Sequence, residues 1–370
     1  MAISVVDLST DARGLGPFLD LPSAVYKGDP HYCASPRGAV LEDVARDEFK
    51  DDQRVLVATD DGTPVARLVA RRSLKLRDDE GRPHGMLGFF EALDRPRAVD
   101  AILREGVRWL RETGAGVIVG PMNGDTWHSY RFNTGPFEAP PFLMEPYNPP
   151  YYPTLWERFG FSVLETYYSQ RVLDVRVFAD SLESKHERAV ANGYEMRRLD
   201  SNRFIEELET IHTLSTESFA DNFLYSDIPL REFLRMYSGA RRLLDPDLTW
   251  FAVAPDGSTA GFLFGFPDEF RAVAAMRGKR GALASLRFLS ARGETDTVNI
   301  KTAGVARAHR RMGLFAALMH CACTEALRKG FRAVNLCLIK EGNPSGVPAE
   351  AFATILRRYA LYQYTGRDIG

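Results

Sequence analysis

Two hairpin signals, one in each half of the chain, are followed by the same succession of elements, and that duplication limits the fold more than any other feature. In the first half, Val55 to Thr59 and Pro64 to Ala70 are β-rich runs joined by Asp60-Asp61-Gly62, a turn composition that closes two-stranded ribbons. Gly85 to Glu91 follows as a strand. Ala98, Val99, Ile102, Leu103, Val107 and Leu110 then recur at helical spacing, with Asp94 as N-cap and Gly114 as stop. Val117 to Val119 returns as a strand, Tyr151 to Phe159 as a short helix ended by Gly160, and Phe161 to Val172 alternates as a strand. The second half gives a hairpin over Thr249 to Val253, Pro255-Asp256-Gly257 and Ala260 to Phe266. It continues with a strand Thr297 to Val305, a helix Leu314 to Leu327, a strand Ala333 to Ile339 and a helical stretch Ala349 to Leu356. Tight hairpins impose antiparallel neighbours, so each half reads as a mixed α+β sheet flanked by helices rather than an all-parallel doubly wound one. The polar stretch Arg176 to Asn192 connects the halves, with a boundary expected near Val175.

A length of 370 residues suits two domains. The formal charge of -2 provides no global attraction to nucleic acid or anionic membrane, so an anionic ligand must be met by a local basic cluster. No run of ~18 apolar residues occurs to span a bilayer. Met1 to Gly16 carries Asp7 and Asp11 without a long apolar core, which argues for a cytoplasmic protein. Cys33, Cys321, Cys323 and Cys337 read as structural thiols. Cys321 and Cys323 diverge on a helix and make a poor metal pair, so no metal is expected.

The local basic cluster lies after Val305. An apolar strand runs into Arg307-Ala308-His309-Arg310-Arg311-Met312-Gly313 and then directly into an amphipathic helix. A helix N-terminus offers unpaired N–H groups and partial positive charge. Gly313 permits close backbone approach, and Arg307, Arg310 and Arg311 supply cations. The chemistry suits a pyrophosphate, although a solvated basic surface would present the same residues.

Arg310-Arg311-Met312-Gly313-Leu314-Phe315 resembles the acyl-CoA signature of the GNAT superfamily of N-acetyltransferases: Arg or Gln, two residues, Gly, one residue, Gly or Ala. The first four positions match, and Phe315 departs from the small final residue. The resemblance covers Tyr194 to Gly370 well and the first half more weakly, through the Tyr151 to Phe161 segment. It implies two tandem GNAT-like acyl-CoA N-acyltransferase domains of α/β class. Residues 1–175 would be a degenerate domain with a structural or substrate-shaping role, because Leu93 to Ala98, at the place of the phosphate loop, has no glycine and carries Asp94 and Pro96. Residues 176–370 would bind acetyl-CoA or another acyl-CoA through Val305, Arg310, Arg311, Met312, Gly313, Leu314, Phe315 and Asn343.

The resemblance further implies transfer of an acyl group to a primary amine of a small molecule or peptide. Tyr359 and Tyr362 are the candidate acids for the leaving thiolate, and Glu341 is the candidate base. No Ser-His-Asp or Cys-His arrangement for a covalent acyl-enzyme is recognisable. The alternatives are a fatty acyl or acyl carrier protein donor, or a non-catalytic CoA-binding sensor. Two stretches stand outside this pattern. Gly120 to Tyr152 is long and rich in aromatics and proline, including His128. Phe270 to Gly293 holds Arg271, Arg277, Lys279, Arg280, Arg287 and Arg292 with no acidic residue; a solvated face is the usual form of such a run, and the sharper reading is that it meets an anion, either the 3′-phosphate of CoA or an acidic carrier protein.

Overall fold

The computed structural model describes residues 2–9, 14–242 and 244–366. The first half runs β1 (Ile3–Asp7), α1 (Gly16–Val25), α2 (Arg37–Val44), β2 (Gln53–Asp60), β3 (Thr63–Arg77), β4 (Pro83–Ala92), α3 (Pro96–Glu112), β5 (Ile118–Gly120), β6 (Phe132–Gly135), α4 (Tyr151–Phe159) and β7 (Phe161–Val172). The second half begins with α5 (Val175–Ala191), β8 (Glu195–Arg198), α6 (Phe204–Phe219), α7 (Leu230–Tyr237), β9 (Trp250–Val253), β10 (Thr259–Pro267), α8 (Phe270–Ala275) and α9 (Ala282–Ala291). It ends with β11 (Thr297–Val305), α10 (Leu314–Arg328), β12 (Ala333–Lys340) and β13 (Ala353–Tyr364).

Local chemistry accounts for several boundaries. Asp61 and Gly62 both adopt positive φ, 47° and 82°, in the turn between β2 and β3, as the right-handed twist of a two-residue hairpin requires. Gly160 ends α4 in the left-handed region at φ 119°. Asp174 caps α5 by accepting the N–H of Val177 at 3.1 Å. The residue expected to cap α3, Asp94, does not do so. Arg95 precedes the helix without a side-chain cap, and Pro96 removes one of the donors a cap would satisfy.

The halves do not close separate sheets. Among the described residues the strands form one 13-stranded sheet ordered β1-β2-β3-β4-β5-β13-β7-β12-β11-β10-β9-β8, with β6 pairing β13 off that path. Strand β13, from the end of the second half, lies between β5 and β7 of the first. Strand β7 of the first half lies between β13 and β12. Each half thus receives a strand from the other. The helix expected over Ala349 to Leu356 is a short 3-10 turn, Pro344–Ala349, followed by β13. Pairing with β7 from Ala353↔Val172 to Tyr364↔Phe161 outweighs the local helical preference of Ala and Leu.

Helix α3 covers one face of the first half with Ile102, Leu103 and Leu110, in a core that includes the fully buried Trp156. In the second half α5 and α10 cover one face through Phe178, Leu182, Leu318 and Ala322. On the opposite face, α6, α7 and α8 pack Leu208, Ile211, Phe233 and Phe270 against Phe251, Phe262 and Phe264 of the sheet. Truncating a core aromatic of this kind costs about 3–5 kcal/mol.

Candidate acyl-transfer site

Strands β11 and β12 run parallel and pair at Thr297↔Ala333, Val298↔Val334, Asn299↔Asn335 and Ile300↔Leu336, and no further. Beyond Ile300 they part. On β12 the register against β7 shifts between Leu336 and Ile339, and Leu338 takes a positive φ of 59°. A branched side chain in that region is strained, and such strain persists only where surrounding contacts hold it. Here the Leu338 N–H donates to Ser169 Oγ at 2.9 Å. Its carbonyl accepts Arg131 at 3.4 Å.

The parted strands open into a cavity of about 620 Å³ bounded by Ile300 to Ala303 on one lip and Leu336 to Lys340 on the other. Its walls come from both halves: Trp127, His128, Tyr130, Arg131 and Tyr167 from the first; Leu208, Ile211, Phe219, Phe233, Phe262 and Phe264 from the second. Phe315 and Met319 of α10 and Asn343 also reach it. The lining is mainly aromatic and aliphatic, with a few polar groups at defined places, as ligand cavities are built.

Next to this opening lies the basic loop. After Val305 the chain makes a 3-10 turn, Arg307–His309, and enters α10 through Gly313 at φ 79° with no side-chain cap. Among the described residues no side chain caps the first-turn N–H groups of α10, and uncapped N–H groups at a helix N-terminus are an arrangement that favours anions. A Cβ on Gly313 would meet nothing within 4 Å, so glycine is required there for backbone conformation rather than for space. The Arg310 guanidinium donates to the Ser218 carbonyl at 3.2 Å, and neither Arg310 nor Arg311 has a carboxylate partner among the described residues. Arg307 differs from the expectation. Its guanidinium is bound to both oxygens of Asp221 at 2.9 and 2.8 Å, and its N–H donates to Glu217 at 2.7 Å, so its charge is already matched. Helix α6 comes this close because β11 has Gly304, where a Cβ would lie 3.0 Å from Ser218 Oγ and 2.8 Å from Phe262.

The remaining expected residues divide. Phe315 turns into the cavity, with Leu314 buried behind it and Met312 outside and exposed. Asn343 lines the cavity and caps the following turn by accepting the N–H of Ser345 at 2.9 Å. Glu341 is exposed, accepts Thr166 Oγ1 at 2.9 Å, and does not line the cavity. Tyr362 is buried in the first-half core with its hydroxyl on Glu157 at 3.2 Å. Tyr359 lies on the other face of β13. It donates to the Glu145 carboxylate and lies 3.0 Å from Ser169 Oγ. Burial, and then the Glu145 charge, push its phenol well above the usual range.

The structure adds a cluster that the sequence did not announce. Lys301, the single charged residue within β11, lines the cavity, and burial there lowers its ammonium from 10.5 to about 8. Arg131 adds to the lowering, whereas Cys337 and Glu145 oppose it. Arg131 itself is clamped over the rings of Tyr130 and Tyr167 at 3.8 and 4.0 Å. Glu145 arrives from the long first-half loop. Its carboxylate is completely covered by Arg357 Nε at 2.8 Å and by Tyr359. Burial raises Glu145 to about 7, with Arg357 and Tyr359 restraining the rise. The clue in the sequence was a lysine in an otherwise uncharged strand. Glu145 carried no local signal beyond the unusual length of its loop.

At another part of the cavity wall His128 Nδ1 lies 2.8 Å from Asp125. Burial alone would raise the Asp125 carboxyl, but His128 and then Arg46 hold it well below the carboxylate range. Arg46 also pairs with Glu232 of α7 at 3.1 Å, which ties the long loop to the second half. Among the described residues, no group of three His, Cys, Asp or Glu side chains is placed to hold a metal ion. Among the described residues no helix is long and apolar enough to cross a membrane.

No family model matches the chain. A bacterial ceramide synthase from Caulobacter vibrioides is 24% identical over 282 residues, spanning 75% of this chain and 73% of that protein. A tandem GNAT protein from the clavulanic acid biosynthesis pathway superposes with a TM-score of 0.54 at 13% identity, over 99% of this chain and 100% of the other. A GCN5-related N-acetyltransferase from Anabaena variabilis gives 0.54 at 10% identity, over 97% and 72%. The glucosamine N-acetyltransferase region of a fungal multi-domain β-N-acetylglucosaminidase gives 0.56 at 15% identity, over 98% of this chain and 38% of that one. With two matched successions of elements, a strand parting after Ile300 and a basic loop at a helix N-terminus, the chain has the tandem GNAT fold.

Proposed function

We propose that this chain is an N-acyltransferase that moves a long-chain acyl group from acyl-CoA to the primary amine of a long-chain amino alcohol or a similarly amphiphilic amine. The observation that carries this reading is the aromatic-walled cavity of about 620 Å³ opening at the parted strands. An acetyl group would leave most of it unfilled, whereas alkyl chains gain about 0.8 kcal/mol per buried CH₂. The similarity to a bacterial ceramide synthase supports it, because a ceramide is the amide of a fatty acid with a long-chain amino alcohol.

In this reading the first-turn N–H groups of α10 with Arg310 and Arg311 hold the pyrophosphate, and Asn343 meets the pantetheine arm. Backbone N–H groups on the lips of the opening receive the thioester oxygen as it becomes an oxyanion. Lys301 handles the proton. Its neutral form takes a proton from the amine nitrogen as that nitrogen bonds to the carbonyl carbon. The resulting ammonium returns the proton to the thiolate as the C–S bond breaks. An acid near 8 is matched to a thiol near ~8.5. From the first half, the Met144 carbonyl accepts Lys301 Nζ at 3.4 Å and Ser169 Oγ accepts the Leu338 N–H, so in this reading that half shapes the site without a phosphate loop of its own.

The direct test is incubation with palmitoyl-CoA and a long-chain 2-amino-1,3-diol, with mass spectrometry for the N-acyl product and titration of free thiol. Equimolar amide and thiol are expected. CoA binding without either product would favour a sensor module.

A further inference from the structure

We propose that α9 is a membrane-docking helix that seats the protein on an anionic bilayer. Leu283, Leu286 and Leu289 are 63%, 63% and 62% exposed. At spacings of three residues they form one ridge of the helix, while Ala284 and Phe288 on the opposite side are buried. Three leucines so exposed on one short helix are not a scatter of single surface residues but a patch that calls for a partner.

Charge decides which partner. Arg271, Arg277, Lys279 and Arg280 are exposed, Arg287 is half-buried, and none of the five has a carboxylate partner among the described residues. The segment from Phe270 to Gly293 contains no acidic residue. A second copy of the chain docked through the same ridge would set these cations against one another. A bilayer with anionic headgroups instead takes the leucines into the acyl boundary and the cations at the headgroup level, the division by which interfacial helices bind. The placement also serves an amphiphilic substrate. α9 packs on α8, whose Phe270 and Val273 belong to the same apolar cluster as Trp127, Phe262 and Phe264 of the cavity wall.

The test is co-sedimentation of the full chain with vesicles of phosphatidylglycerol and phosphatidylcholine, and with vesicles of phosphatidylcholine alone. Binding to the anionic vesicles is expected to fall roughly a hundredfold in Leu283→Ser/Leu286→Ser/Leu289→Ser. It should also fall steeply with salt and in Arg277→Glu/Arg280→Glu. All five of these side chains are exposed, and an unchanged melting curve establishes that the variants fold. Equal binding to neutral vesicles, or sedimentation of the leucine variant like the parent, overturns the proposal. So does a ridge variant that breaks a dimer or weakens acyl carrier protein binding with vesicle binding intact. The sedimentation readout does not require acyl transfer. A failure of the proposed activity therefore leaves this test standing, and the reverse also holds.

Discussion

Replacing Lys301 with Met keeps the length of the side chain in the cavity wall and removes its titration. With the ammonium near 8, about a tenth of the side chain is neutral at pH 7 and about nine tenths at pH 9, so the parent rate should rise roughly tenfold across that interval. In Lys301→Met kcat should fall by ~10²–10⁴, the scale of lost proton transfer, with little change in KM and no ascending limb near pH 8. Stability should move the other way. A lysine whose folded value lies below its unfolded 10.5 penalises the fold at low pH, and that penalty fades as pH rises through 8 to 10.5. Removing it should stabilise the protein at pH 7 by up to about 3 kcal/mol, from 1.36 kcal/mol per unit, with the gain gone above about pH 10.5. Stopped-flow thiol release across pH, paired with thermal melts of the same variant, reads both effects. A variant with parental kcat and an unchanged pH limb would refute the role given to Lys301. A variant that loses stability at pH 7 would refute the burial argument behind it.

Arg310→Ala should weaken CoA binding about 10- to 100-fold in calorimetry, the value of a charge-assisted hydrogen bond, and flatten the salt dependence. Because Arg310 has no carboxylate partner, its removal strands no buried charge, and an unchanged Kd would remove the phosphate site from the account. Tyr362→Phe should leave kcat near parental. Tyr359→Phe should lower activity and shift its pH profile by freeing Glu145 from a hydrogen bond. Equal effects of the two variants on kcat would contradict the placement of these residues on opposite faces of β13.

The basic loop that enters α10 was legible in the sequence because its parts are contiguous: a strand end, two arginines, a glycine and a helix start between Val305 and Leu314. The exchange of β7 and β13 was not, since it pairs residues 161–172 with 353–364, and no local propensity encodes such a partner. The same non-locality hid the Lys301 cluster. It forms only when a first-half loop carrying Glu145 closes against β13, whose Arg357 and Tyr359 receive it. The period of a strand did contain unused information. Tyr359 and Tyr362, three residues apart, face opposite sides of the sheet, so both could not serve one site. Arg307 shows the converse: its position in the loop was evident, but Asp221, which pairs its guanidinium, lies just past the end of α6, and Glu217, which accepts its backbone N–H, lies on α6 ninety residues earlier in the chain.

The central claim is that the cavity takes a long acyl chain, and kcat/KM measured for a series of acyl-CoA donors from acetyl to palmitoyl tests it most directly. The account predicts a rise of up to about fourfold per added CH₂, from ~0.8 kcal/mol each, until the cavity is filled. A flat series, or one in which acetyl-CoA is the best donor, would contradict it.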